Sequence, residues 1–144
     1  MIYTPMTRKA IQIAYAAHEG QVDESGIPYI FHPYHVAEQM TDELSVCVAV
    51  LHDVLEDTAV TEEELAMQFP KEVVDCLRLL KHNRTEPYMD YIRKIKGNPV
   101  AVRVKLADIA HNSDETRLDG VDIEEDRLRH WREKYREARR ILEE

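Results

Sequence analysis

The chain has 144 residues, a length that suits one domain with a core of its own and no need of disulfide staples. Its formal charge is -9 and no basic cluster interrupts the acids, which argues against a duplex nucleic acid partner, since duplexes are bound chiefly by neutralising phosphates. No apolar run approaches the roughly twenty residues of a membrane span and no secretory leader is visible. A cytoplasmic protein is therefore expected, with Cys47 and Cys76, both at apolar positions of helical patterns, remaining reduced.

With only four glycines, no strand-like alternation and abundant Glu, Lys, Arg, Ala and Leu, the sequence reads as all-α, a helical bundle in one domain over 1–144. Thr4 or Thr7 caps a first helix whose Ile11, Ala14, Tyr15 and His18 share a face and which Gly20 ends. The segment 21–33 is the least regular. Gly26 and Pro28 prevent helix there, and Pro33 biases His32 toward extended backbone while opening the next helix, so His32 is expected on a rigid entry turn. A short helix then carries Val36, Ala37 and Met40, and a third runs through the apolar stretch 46–51 to about residue 55.

Thr61 stands at capping-box spacing from Glu64 and starts a helix that stops near Phe69 and Pro70. Another runs from Lys71 to about His82 with Val73, Val74, Leu77 and Leu80 inward, and a further one from Pro87 to Lys96 is closed by Gly97. Asn98 followed by Pro99 is a cap with proline at the first helical position, so a helix begins there and continues to about Ser113. Within it Lys105, Asp108 and Asn112 lie on one face. The last helix, Asp122 to Leu142, spaces Leu128, Trp131, Tyr135, Ala138 and Leu142 alternately by three and four. That stripe is expected to pack on the body of the domain, or to join two copies of the chain as a homo-oligomer.

The chemistry concentrates in His52-Asp53-Val54-Leu55-Glu56-Asp57, directly after the apolar run. On a continuous helix His52 stacks over Glu56 and Asp53 over Asp57, one turn apart. Acids at a helix C-terminus oppose its dipole and call for a cation. Asp108 falls in a helix that should be largely buried, where an unpaired carboxylate is costly, so Lys105 or a metal should face it. Taken singly, His32 is a turn histidine bonded to backbone and the acids are a solvated helix end. Taken jointly, His32, His52, Asp53 and Asp108 supply two nitrogens and two oxygens, a set that suits Mn²⁺, Fe²⁺ or Zn²⁺ with open positions for water.

Four blocks in register then carry a family resemblance: Ala17-His18-Glu19-Gly20-Gln21, Ser25 through Pro33, His52 through Thr58, and Val104-Lys105-Leu106-Ala107-Asp108 with His111-Asn112. Together they resemble the hydrolase domain of the RelA/SpoT family, within the HD-domain metal-dependent phosphohydrolases. The resemblance implies an all-α HD-domain bundle in which His32, His52, Asp53 and Asp108 bind one divalent metal, usually manganese. It implies Glu56 and Asp57 as the catalytic acidic pair, and Ser25 and Asn112 at nucleotide-contacting positions. The expected reaction is guanosine-3′,5′-bis(diphosphate) 3′-pyrophosphohydrolysis, with a small-molecule nucleotide as the partner and no role for nucleic acid or membrane. Where the family hydrolases carry an Arg-Lys pair this chain has Asp23 and Glu24, and Ile109 replaces the basic residue usual after the metal-binding aspartate. Lys81, Arg84, Arg103, Lys105 and Arg117 remain as phosphate ligands, Lys105 foremost. These departures leave two further readings: an HD phosphohydrolase of another phosphorylated nucleotide, or a nucleotide-sensing module. The length leaves no room for the family's synthetase domain, so a stand-alone hydrolase is expected.

Overall fold

The computed structural model describes residues 1–144. Its helices are α1 (Pro5–Ala17), α2 (Phe31–Glu38), α3 (Glu43–Leu51), α4 (Val54–Asp57), α5 (Glu62–Ala66), α6 (Lys71–Leu80), α7 (Tyr88–Ile95), α8 (Pro99–Asn112) and α9 (Glu125–Glu143), with a 3-10 turn at Glu115–Leu118. No sheet forms, and a lone antiparallel bridge joins Val22 to Pro28 in the loop after α1. The all-α expectation holds, and no helix is long and apolar enough to cross a membrane.

The bundle is built around α3. Every residue from Ser45 to Leu51 is buried, because this helix is apolar all round and packs against α1, α2, α6 and α8. Asp42 caps it by accepting from the Ser45 N–H, and after Ser45 no charged or hydroxyl side chain occurs until His52. The core therefore surrounds a helix whose far end carries the ionisable cluster. Caps read from sequence recur where the chain bends: Thr4 starts α1 in a reciprocal capping box with Thr7, Thr61 accepts from Glu64 N–H, and Asn98 accepts from Val100 and Ala101 N–H ahead of Pro99.

Three local expectations are corrected. The helix through residue 55 instead breaks at His52 and Asp53, and α4 restarts at Val54. The His52 ring donates from Nδ1 to the Ala49 carbonyl at 2.6 Å, competing for an oxygen at the helix end, and Asp53 takes φ -100, ψ 0, a bridge conformation. His32 does not precede its helix but lies inside the first turn of α2, where Pro33 forfeits no bond because first-turn N–H groups have no intrahelical acceptor. Tyr15 faces solvent, 66% exposed, while Ala14 and His18 of the same helix side are buried. The stripe of α9 packs within its own chain, on α7 and α8, through Ala138, Ile141 and Leu142. Its other half, Trp131 and Tyr135, lines a groove.

Candidate active site

Helices α2, α3 and α8 converge where α3 ends. The ligand atoms of His32, His52 and Asp53 lie within 4.8 Å of one another. Asp53 Oδ2 is 3.1 Å from His52 Nε2 and 3.7 Å from His32 Nε2, and Asp108 Oδ1 is 2.8 Å from His32 Nε2 and 3.5 Å from His52 Nε2. His32, His52 and Asp108 are buried and Asp53 is half-buried. All four residues named from sequence thus meet in space.

The geometry of His52 tests whether a cation fits. Its Nδ1 is committed to the Ala49 carbonyl, so the neutral ring presents an Nε2 lone pair to the cluster. That Nε2 is buried and makes no hydrogen bond, although Asp53 Oδ2 is near. An orphaned buried nitrogen beside two carboxylates and a second imidazole is a donor set for a divalent metal of intermediate hardness. Without a metal the negative charge is balanced otherwise. Burial works against charging His52, but Asp53 and then Asp108 outweigh it and hold the imidazole well above its ordinary pKa. Burial likewise opposes ionisation of Asp53, yet His52 holds that carboxyl down at about 2.

Each cluster residue is oriented by a neighbour. The Tyr29 hydroxyl donates to Asp53 Oδ2 at 2.5 Å, Lys105 Nζ to Asp108 Oδ2 at 2.8 Å, and Asn112 Nδ2 to Asp108 Oδ1 at 2.9 Å. Lys105 is therefore the cation expected against Asp108, and Asn112 touches the cluster rather than serving as a helix-end cap. His32 has a partner that sequence reasoning missed: its Nδ1 lies 2.7 Å from His111 Nδ1. With His32 Nε2 facing the cluster, Nδ1–H donates and His111 accepts. Burial, and next the charge of Arg117, push His111 down to about 4, which keeps it neutral and able to accept. The available signal was its spacing, since Asp108 and His111 stand three apart on α8.

The acidic pair sits on the short helix α4. Partial burial, then the charges of Asp53 and Glu56, push the Asp57 carboxyl up to about 6. Glu56 Oε1 accepts the backbone N–H of His82 at 2.7 Å. Gln21 Nε2 donates to the Asp57 carbonyl at 2.8 Å, and Gln21 Oε1 meets His18 Nδ1 at 2.8 Å, so the first sequence block braces the third.

Two compartments flank the cluster and share Tyr29, Asn112 and Tyr135. The larger, about 560 Å³, is lined by Asp23, Ser25, His32, Arg117 and Trp131. The smaller, about 190 Å³, is lined by Glu56, Asp57, His82, Tyr88, Lys105 and Lys134. In the larger one Asp23 is fully occupied: Oδ1 accepts from Ser25 N–H, Ser25 Oγ–H and Ile27 N–H, and Oδ2 pairs with Arg117 Nη2 at 3.2 Å. Glu24 pairs with Arg127 at 2.9 Å, and that guanidinium stacks on Trp131 with 4.7 Å to the ring centre. The acids at 23 and 24 are thus answered by arginines from the opposite side of the groove. Ser25 keeps only its lone pairs for a ligand. Arg103 pairs with Asp42 and Lys81 lies exposed in a separate depression, so neither reaches the cluster.

Residues 10–112 match the family model for the HD domain. The chain is 38% identical over 115 residues to a guanosine-3′,5′-bis(diphosphate) 3′-pyrophosphohydrolase of Haemophilus influenzae, covering 69% of this chain and 17% of that protein. It is 34% identical over 120 residues to the bifunctional (p)ppGpp synthase/hydrolase SpoT of Escherichia coli K12, covering 73% and 17%. It is 34% identical over 139 residues to the GTP pyrophosphokinase rsh of Brucella suis, covering 86% and 18%. The chain therefore spans less than a fifth of the length of these relatives. Among solved structures it is similar to a metazoan ortholog of SpoT that hydrolyzes ppGpp and plays a role in starvation responses, with a TM-score of 0.83, 21% identity, and coverage of 99% of this chain and 88% of that one. This last likeness establishes the shared fold.

Proposed function

This chain belongs to the HD domain family, and from that premise we propose that it is a metal-dependent nucleotide phosphohydrolase, acting as a guanosine-3′,5′-bis(diphosphate) 3′-pyrophosphohydrolase. The observation that carries the reading is the convergence of His32, His52, Asp53 and Asp108 around the orphaned His52 Nε2, with a carboxyl pushed up to about 6 at Asp57 beside it. These four residues would hold the metal, Mn²⁺ first among Mn²⁺, Fe²⁺ and Zn²⁺, and it would supply Lewis-acid polarisation of a phosphoryl oxygen and a more acidic water.

The chain's own groups do the rest. Asp57, with a pKa near the working pH, accepts the water proton as the water oxygen bonds to the phosphorus carried on the ribose 3′ oxygen. The bond from that phosphorus to the 3′ oxygen breaks, and Glu56, held through one oxygen by the His82 N–H, hands a proton to the departing oxygen from its other side. The products are pyrophosphate and a nucleoside 5′-diphosphate. Asn112 and Lys105 hold the phosphoryl oxygens, and Ser25 accepts from the base or ribose in the larger compartment. A second reading keeps this centre and changes the nucleotide. It is favoured by Asp23 and Glu24, whose pairing with Arg117 and Arg127 leaves those cations largely neutralised.

The experiment is release of pyrophosphate or phosphate from a nucleotide panel with added Mn²⁺, including guanosine tetraphosphate and other 3′- and 2′-phosphorylated nucleotides, with Asp53→Ala as control. Rapid pyrophosphate release from the tetraphosphate, lost in the control, is the expected result. Turnover of another panel member alone would establish the second reading, and silence across the panel with metal bound would refute both in favour of a sensing role.

A further inference from the structure

The smaller compartment holds a cation that the hydrolytic centre does not account for. Lys134 sits in the middle of α9, and its ammonium turns inward, 4.4 Å from the centre of the Tyr88 ring and 5.4 Å from that of Tyr135. Nearly every other basic residue on α9 is paired: Arg127 with Glu24, Arg132 with Glu115, and Arg140 with Glu137. Lys134 has no carboxylate within ion-pair distance and no hydrogen-bond acceptor. Across the compartment Lys105 Nζ lies 5.3 Å from the Tyr91 ring centre and 5.7 Å from that of Tyr88, so both ammonium groups rest on one aromatic wall. Burial, and next the charge of Lys105, push Lys134 below the ordinary lysine value.

Contact with a ring face offsets part of the cost of holding a half-buried ammonium, but leaves its N–H donors without acceptors. A lysine needing only to pack would extend its head to water. Two ammonium groups turned into one space beside a metal-ligating cluster form a seat for an anion with several oxygens. At about 190 Å³ the compartment has roughly a third of the room of its neighbour, and its two ammonium groups suit a diphosphate rather than a base. The larger compartment, with Trp131 and Arg117, is of the size that takes a base and sugar.

We propose that Lys134, with Lys105, forms the subsite for the 3′-diphosphate of the substrate and hence for the pyrophosphate product, between α7 and α9, while the nucleoside occupies the side lined by Trp131. The assignment rests on the phosphohydrolase reading above and makes Lys134 a substrate-binding residue that the family blocks, which end at Asn112, do not contain.

The test is calorimetric titration of inorganic pyrophosphate, and separately of GDP, into wild-type, Lys134→Met and Lys134→Arg proteins at a fixed free Mn²⁺ concentration, with melting curves to confirm that each variant is folded. Loss of one charge-assisted contact should weaken pyrophosphate binding by Lys134→Met about 10-fold or more. GDP binding should change less than about twofold, since no contact to GDP is lost, and Lys134→Arg should recover most of the pyrophosphate affinity because its charge is kept. Unchanged pyrophosphate binding by Lys134→Met, an equal loss for GDP, or no pyrophosphate binding by the wild type would overturn the proposal. The titration needs no turnover. A Lys134-dependent pyrophosphate site in a protein that spares guanosine tetraphosphate would sink the substrate reading and leave this subsite standing.

Discussion

Lys105→Met removes one charge while keeping a stem able to lie against Tyr88 and Tyr91. In the wild type Lys105 Nζ donates to Asp108 Oδ2 at 2.8 Å, with only 12% and 6% of the two side chains exposed. Removing one partner of a buried pair strands the other charge, at about 3–5 kcal/mol. A domain of this size loses roughly 3 °C of Tm per kcal/mol, so the metal-free variant should melt roughly 9–15 °C below wild type. A divalent metal is a second source of positive charge for the same carboxylate, whose Oδ1 faces the two histidines. Saturating Mn²⁺ should therefore stabilise the variant more than the wild type and close about half of the gap, by mass action on a site relieved of a competing cation. Acid gives a second view of the pair. Burial opposes ionisation of Asp108, but Lys105 holds its carboxyl well below the ordinary range. Its stabilisation is complete above the unfolded value of about 4 and is lost as pH falls through the lower folded one, so the wild type should lose stability more steeply in acid than the variant. The assay is urea and thermal unfolding in EDTA and in Mn²⁺, from neutral pH down to about pH 3. A gap of the same size with and without metal, or no gap at all, would refute the shared-carboxylate argument.

Asp57→Asn should separate catalysis from stability. Because folding raises this carboxyl from 3.8 to about 6, the folded state holds the proton more tightly, and stability falls as pH rises through that window. The asparagine variant should be more stable than wild type at pH 7 in EDTA, by ~1 kcal/mol after allowing for solvent screening at the exposed edge. Its turnover should drop ~10²–10⁴-fold; a variant that is both less stable and fully active would contradict the role. His111→Ala should weaken Mn²⁺ binding ~10–100-fold in a dialysis titration, and His111→Asn, which restores an acceptor, should recover part of that loss. Equal affinity in all three proteins would show that His32 needs no such partner. Metal binding should also release protons, since ligation requires the neutral imidazole while the neighbouring carboxylates raise the His52 pKa in the metal-free protein. The heat of Mn²⁺ binding should accordingly vary with the ionisation enthalpy of the buffer, and Mn²⁺ affinity should fall as pH falls; a buffer-independent heat would exclude the protonated ring.

What was legible in the sequence follows from how local each interaction is. Thr4, Thr61 and Asn98 start their helices through bonds to residues two or three positions on, and these were readable. The break at His52 was not, since it depends on the His52 ring reaching back to the Ala49 carbonyl, a rotamer choice that leaves no mark on periodicity. His32 inside α2 was missed for a related reason: the rule placing proline at helix entry leaves open which of the first positions it takes. For the site, His32 and Asp108 meet across 76 residues, which no spacing argument reaches, and their association came from blocks in family register. His111 and Lys134 escaped because each acts on something outside its own helix. The stripe of α9 identified Trp131 and Tyr135 as apolar, but where Lys134 points depends on how α9 crosses α7.

An acidic chain proposed to capture a polyanion faces a physical difficulty, and the pairing pattern resolves it locally. At -9 the protein repels a nucleotide carrying several phosphates at long range, and salt, by screening that repulsion, favours encounter. Surface arginines do little to reverse this, because Arg78, Arg132 and Arg140 are each tied to glutamates. The same neutralisation reaches the groove mouth, where Asp23 and Glu24 occupy Arg117 and Arg127. Positive charge left for a phosphate near the hydrolytic centre then comes from Lys134, from Lys105 beyond its bond to Asp108, and from Arg84, whose charge reaches Asp57. Attraction there is short-ranged and directional, so it selects where the phosphates sit rather than whether the ligand arrives. The base side, whose cations are already paired, would be left to discriminate through Ser25 and the face of Trp131 that Arg127 leaves open. This division is why a changed nucleotide preference is compatible with an unchanged hydrolytic centre: substitutions at 23 and 24 act on a compartment that shares with the scissile bond only Tyr29, Asn112, Tyr135 and the edge of His32.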